Sequence, residues 1–140
     1  MTNMMFVFPA GDLTLKYDEN TGNSKVFTVP DGKKWIILWI YVEVNTTATV
    51  GTRTVRLQYR DSADDVIFQQ RGINVSESAS GKLNYIPMSG GDIGSSGGEV
   101  TLPIPFTVLT SGYDIRIVDT ANVDANDTIN VQMMVLEVPN

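Results

Sequence analysis

Apolar and polar residues alternate along most of this chain, and turn signals interrupt the alternation about every ten residues. Successive side chains of an extended strand leave opposite faces of a sheet, so a period of two marks a half-buried strand. No stretch sustains a helical period. The clearest run is Thr52–Arg60. Val55, Leu57 and Tyr59 take one side; Thr54, Arg56, Gln58 and Arg60 take the other. Asp61-Ser62-Ala63-Asp64 turns the chain, and Asp65–Gln70 returns with Val66 and Phe68 facing inward, which predicts a hairpin.

The same pattern predicts further strands. Met4-Met5-Phe6-Val7-Phe8 is a short apolar run closed by Pro9, suited to an edge strand or an arm. Leu13, Leu15 and Tyr17 alternate with polar residues. Lys25–Val29 is stopped by Pro30-Asp31-Gly32, where Pro presets one φ and Gly permits a positive one. Leu83–Met88, Glu99–Leu102, Tyr113–Val118 and Thr128–Val138 follow; the last carries Ile129, Val131, Met133 and Val135 on one face. Between them Ser89–Gly98 is rich in Gly and Ser and reads as a surface loop. The expected fold is all-β: an antiparallel, jelly-roll-like β-sandwich of about eight strands. An immunoglobulin-like sandwich has the same strand density. Residues 1–140 are expected to form one domain, with 1–10 as a candidate N-terminal arm.

Trp35–Asn45 is the strongest strand and an ambiguous one. One parity carries Trp35, Ile37, Trp39 and Tyr41, and the other carries Ile36, Leu38, Ile40, Val42 and Val44. Both faces read as apolar. One must be core; the other offers aromatic side chains to a neighbouring subunit or to a sugar ring.

The chain has no His and no Cys. That excludes Ser-His-Asp and Cys-His catalysis, His- or Cys-based zinc sites and a disulfide framework. The formal charge is −6, the wrong sign for nucleic acid. No apolar run is long enough for a membrane helix, and the first residues lack a secretory pattern. Two acidic clusters, Asp61/Asp64/Asp65 and Asp119/Asp124/Asp127, weigh calcium against ordinary turn chemistry. Neither matches an EF-hand loop, and turn chemistry is the stronger reading. Gly90-Gly91-Asp92-Ile93-Gly94 lacks the Gly-Lys-Ser/Thr of a phosphate loop. No cofactor is expected.

Two segments carry a family resemblance. The first is Phe27-Thr28-Val29-Pro30-Asp31-Gly32-Lys33-Lys34-Trp35, continued by Ile36–Val44 and Thr52-Arg53-Thr54-Val55-Arg56-Leu57. The second is Tyr113-Asp114-Ile115-Arg116-Ile117-Val118-Asp119, continued by Val123-Asp124-Ala125-Asn126-Asp127 and a strand ending Met134-Val135-Leu136-Glu137. Together they resemble the jelly-roll capsid decoration (cement) proteins of tailed bacteriophages. The resemblance implies a non-enzymatic homotrimer made in the host cytoplasm. It would sit on the outer capsid surface, cross-link major capsid protein subunits and stiffen the shell. The expected contacts are Met4, Met5, Phe6, Val7 and Phe8, the Trp35, Trp39 and Tyr41 face, and the loop holding Gly90 and Gly91. The alternative is a tail or fibre module that binds glycan. Neither reading involves nucleic acid or a membrane.

Overall fold

The computed structural model describes residues 11–18, 24–88, 99–121 and 124–140. Ten strands run through them: β1 (Asp12–Asp18), β2 (Ser24–Thr28), β3 (Lys33–Asn45), β4 (Arg53–Arg60), β5 (Val66–Val75), β6 (Ser80–Pro87), β7 (Glu99–Ile104), β8 (Val108–Thr110), β9 (Asp114–Asp119) and β10 (Thr128–Pro139). They form two sheets. The six-stranded sheet has the order β1-β10-β3-β6-β7, with β8 beside β3; the four-stranded sheet has the order β2-β9-β4-β5.

Without β7 and β8, two antiparallel sheets of four strands remain, in a jelly-roll-like order. The expected all-β sandwich is present, with ten strands among the described residues; β7 matches the expected Glu99–Leu102 strand, and β8 is one that the alternation did not mark. Glu99–Ile104 runs parallel to β6, the one parallel pair among the described residues. Val108–Thr110 covers the part of β3 that β6 does not reach: β8 pairs with Lys34–Ile36 and β6 with Ile40–Asn45. Three residues make too short a run for periodicity to register.

The core lies between the sheets. Val55, Leu57, Tyr59, Ile115 and Ile117 face Ile40, Val42, Val44, Val131 and Met133, and all are buried. Burying each such side chain contributes about 1.5–3 kcal/mol. The alternation expected in Thr52–Arg60 and in Thr128–Val138 holds. The β4–β5 hairpin holds too, but Val66 does not face inward: it is about half exposed, on an edge strand whose register slips between Tyr59 and Arg60. Phe68 does pack inward, with its ring 5.2 Å from that of Tyr59.

A β-bulge resolves the double character of β3. Met134 of β10 pairs with Trp39 and Val135 with Ile37, so Leu38 has no partner on β10. Trp35 and Ile37 point into the core before the bulge; Ile40, Val42 and Val44 do so after it. An extra residue switches which parity faces inward. The Trp35/Trp39/Tyr41 face expected from unbroken alternation is thereby corrected. Trp35 is 2% exposed, and its indole Nε1 donates to Glu137 Oε2 at 2.8 Å; Trp39 and Tyr41 lie on the outer face.

Leu38 itself is partly exposed. Leu38→Ser should therefore shift stability by only about 0.5 kcal/mol. Deleting Leu38 should also leave the protein folded, because Ile37 then adjoins Trp39, and Trp35, Ile37, Ile40, Val42 and Val44 fall on one unbroken inward parity; loss of the fold would overturn the bulge assignment. Thermal melts followed by circular dichroism distinguish the two outcomes.

Candidate functional site

The outer face of the six-stranded sheet is built from the side chains that β3 and β10 do not send into the core. Registers across the strands align them into rows. Leu13, Leu136, Ile36 and Val108 form one row, and Leu15, Met134 and Trp39 the next. Tyr17, Gln132, Tyr41 and Asn84 form the third. Leu38 and Ile86 are also exposed. Asn130, Glu43 and Lys82 make a polar row that closes the band. Tyr41 touches this border: its hydroxyl lies 3.5 Å from Glu43, and its pKa is raised by burial, with the Glu43 and Glu99 charges adding to the effect.

β1 contributes the most exposed part. Leu13 is 70%, Leu15 49% and Tyr17 67% exposed. The expected strand is present, but its apolar side faces outward. The cause lies on the opposite parity. Lys16 sits 5.1 Å over the Trp35 ring and 3.9 Å from Glu137, while Asp18 pairs with Lys25 at 2.9 Å. These contacts draw the polar side of β1 to the inner edge of the sandwich. A period of two then leaves Leu13, Leu15 and Tyr17 outside.

The four-stranded sheet presents a different outer surface. Arg60 donates to both oxygens of Asp114, Gln58 to Gln69 at 2.8 Å and Thr54 to Asn74 at 3.2 Å. One outer face is thus a hydrogen-bonded polar ladder and the other an apolar band four strands wide. A contiguous exposed apolar patch of that width marks an interaction surface in a monomer.

Of the expected contact residues, the structure puts Trp39 and Tyr41 on this band and removes Trp35 from it. Met4–Phe8 and the loop with Gly90 and Gly91 lie outside the described residues. Leu13, Leu15, Tyr17, Met134 and Leu136 were not among the expected contacts. The Leu-x-Leu-x-Tyr alternation was visible in the sequence, but alternation alone does not say which parity faces out.

The acidic clusters perform structural work. Asp61 Oδ1 accepts from the backbone N–H groups of Ala63 and Asp65, an ordinary turn. Arg53, fully buried, donates from Nε and Nη2 to Asp127 at 2.8 and 3.1 Å, and from Nη1 to the carbonyls of Thr49 and Gly51. Asp127 also accepts from Thr47 N, and Asp124 from Thr47 and Thr49 hydroxyls and Asn126 N. The oxygens of Asp124 and Asp127 are thereby taken up by donors. Among the described residues no group of three acidic side chains is placed to hold a metal ion.

Burial raises the Asp127 carboxyl, but Arg53 and two backbone N–H groups outweigh it and hold the pKa below the ordinary range. Thr49, Asn126 and Thr47 hold Asp124 at about 2. Burial raises Asp119. A cavity of about 480 Å³ opens between β5 and β6–β7; no titratable side chain is among its lining residues, which include Ile73, Val75, Val100 and Leu102. The chain matches no protein-family model, and no curated protein sequence matches it.

Carboxyls with depressed folded-state pKa values stabilise above their unfolded values, near about 4. Stability should therefore fall as the pH drops from about 4 toward 2, and Asp127→Asn should remove much of that acid dependence while lowering the melting temperature at neutral pH. Urea titrations across this range measure both effects. On the apolar band, replacing Leu13, Leu15 and Tyr17 together by Ser should raise solubility in ammonium sulfate. It should cost only about 1 kcal/mol in stability, because these side chains are exposed.

Proposed function

We propose that this chain is a non-enzymatic structural protein of a virion, which binds the outer surface of a tailed-phage capsid and stabilises the shell by cross-linking its subunits. The observation that carries the reading is the apolar band on the six-stranded sheet. Such a surface gains free energy by leaving water, and it does so against a complementary protein surface. Trp39 and Tyr41 are the anchors: large, amphipathic and partly exposed near the middle of the band. The sandwich behind them is stiff, because its core is continuous between two sheets. A stiff body with an adhesive face resists separation of the subunits it bridges.

In this reading the partner is the major capsid protein, and the working form is a homotrimer that presents three such faces. The protein is made in the host cytoplasm and resides on the capsid surface, with no cofactor. The sequence resemblance to jelly-roll decoration proteins and the jelly-roll-like strand order both support it.

The test is sedimentation of purified protein with capsids of the phage that carries it, together with the solution mass from light scattering. Binding and a trimeric mass are expected, along with a rise in the temperature at which capsids release DNA. Trp39→Ala should weaken binding on the order of thirtyfold, a loss of about 2 kcal/mol, without unfolding the domain. Absence of co-sedimentation overturns the reading. The pairing of Trp39 and Tyr41 on one face then favours a glycan-binding module, detected as quenching of Trp fluorescence by sugar.

A further inference from the structure

All five arginines of the chain lie on strands of the four-stranded sheet. Arg53 points into the molecule and is matched by Asp127. Arg56, Arg60, Arg71 and Arg116 alternate with the core residues of their strands and so take the outer face. Arg60 is neutralised there by Asp114 and Asp64, at 2.6 and 3.2 Å.

The other three have no carboxylate partner among the described residues. Arg56 stands directly opposite Arg71 in the β4–β5 register. On its other side it faces Val118, with Arg116 one step along β9, opposite Gln58. Neighbouring strands are about 5 Å apart, so the three arginines stand on consecutive strands of one face, at adjacent register positions. Arg71 donates only to Asn74 Oδ1 and Arg116 to Ser24 Oγ, each at 3.1 Å. Arg56 Nε is buried without a hydrogen-bond partner. Among the described residues, none of the three forms an ion pair.

This arrangement opposes the ordinary rules of sheet stability. Like charges directly opposite on adjacent strands destabilise a sheet. The chain has 16 acidic and 10 basic residues, so carboxylates are abundant, yet among the described residues none pairs with this patch. An anion from outside would relieve it, and the planar guanidinium fork suits a carboxylate or phosphate.

We propose that Arg56, Arg71 and Arg116 form a binding site for the carboxylates of an acidic protein segment. A carboxylate-bearing peptide fits better than a nucleic acid for two reasons. No aromatic side chain of β2, β4, β5 or β9 lies on this outer face, so bases and sugars have nothing to stack on. The net charge of −6 repels a long polyanion, whereas a short acidic segment meets mainly the local positive field. The site is on the sheet opposite the apolar band and does not depend on what that band binds.

The test uses the full-length protein and a fluorescently labelled oligoglutamate peptide, with binding followed by anisotropy. Saturable binding is expected that weakens severalfold between about 50 and 200 mM salt. Arg116→Gln should weaken it about tenfold. Arg71→Glu is the diagnostic variant. It should abolish binding yet raise the melting temperature, because it converts an opposed like-charge pair into an Arg56–Glu pair across the strands. No peptide binding by the wild type at low salt overturns the proposal. So does unchanged binding by a folded Arg71→Glu or Arg116→Gln variant. Tighter binding of inorganic pyrophosphate or duplex DNA than of the peptide also overturns it, by assigning the patch to phosphate.

Discussion

The pairing of β3 with β10 organises this molecule, and the bulge at Leu38 is its critical detail. These two strands are the longest, and they lie side by side in the interior of the six-stranded sheet. The unpaired Leu38 lets Trp35 and Ile37 serve one end of the core and Ile40, Val42 and Val44 the other. Were Leu38 paired in regular register instead, one of those sets would face out, and Trp39 and Tyr41 would share the face of Trp35 and Ile37. The composition of both the core and the outer face follows from this one-residue offset.

A second constraint acts at the sheet edge. Lys16, Asp18, Lys25, Trp35 and Glu137 are linked by ion pairs, an indole hydrogen bond and a cation–π contact. A polar side of β1 that would ordinarily face water is held at the inner rim instead. The apolar side is left exposed next to Leu136 and Met134. The β1 part of the band therefore results from polar chemistry at the rim. The two sheets consequently differ in outer chemistry: one is apolar, the other is a ladder of arginine, glutamine and threonine. A sandwich with two unlike faces can engage two unlike surfaces, which is the property a bridging protein needs.

The far end is held by a different device. Arg53 ties the 46–52 connection to the turn before β10 through Asp127, Thr47 and two backbone carbonyls. Breaking such a pair leaves a buried charge without its partner, so its geometry matters more than the modest net stabilisation an intact buried pair supplies. Asp119, also buried, has one oxygen bonded to Thr54 and Ala121 backbone N–H groups and the other unpaired.

Much of this architecture could be read directly from residue order. The alternation in Thr52–Arg60 and Thr128–Val138 specified strands and their inward faces, because the side-chain period of a strand is a local property. The turn at Pro30-Asp31-Gly32 was legible for the same reason, and Gly32 has the positive φ that its position implied. The absence of His and Cys removed whole classes of chemistry without any coordinates. What stayed hidden depends on contacts distant in the chain. Leu38 is a bulge only relative to Met134 and Val135, nearly a hundred positions away. The outward turn of Leu13, Leu15 and Tyr17 depends on Lys16 meeting Trp35 and Glu137. The arginines of β4, β5 and β9 become a patch only once those strands are neighbours. Local alternation says that a strand has two faces; the partners that the fold brings to each face determine which one meets the solvent.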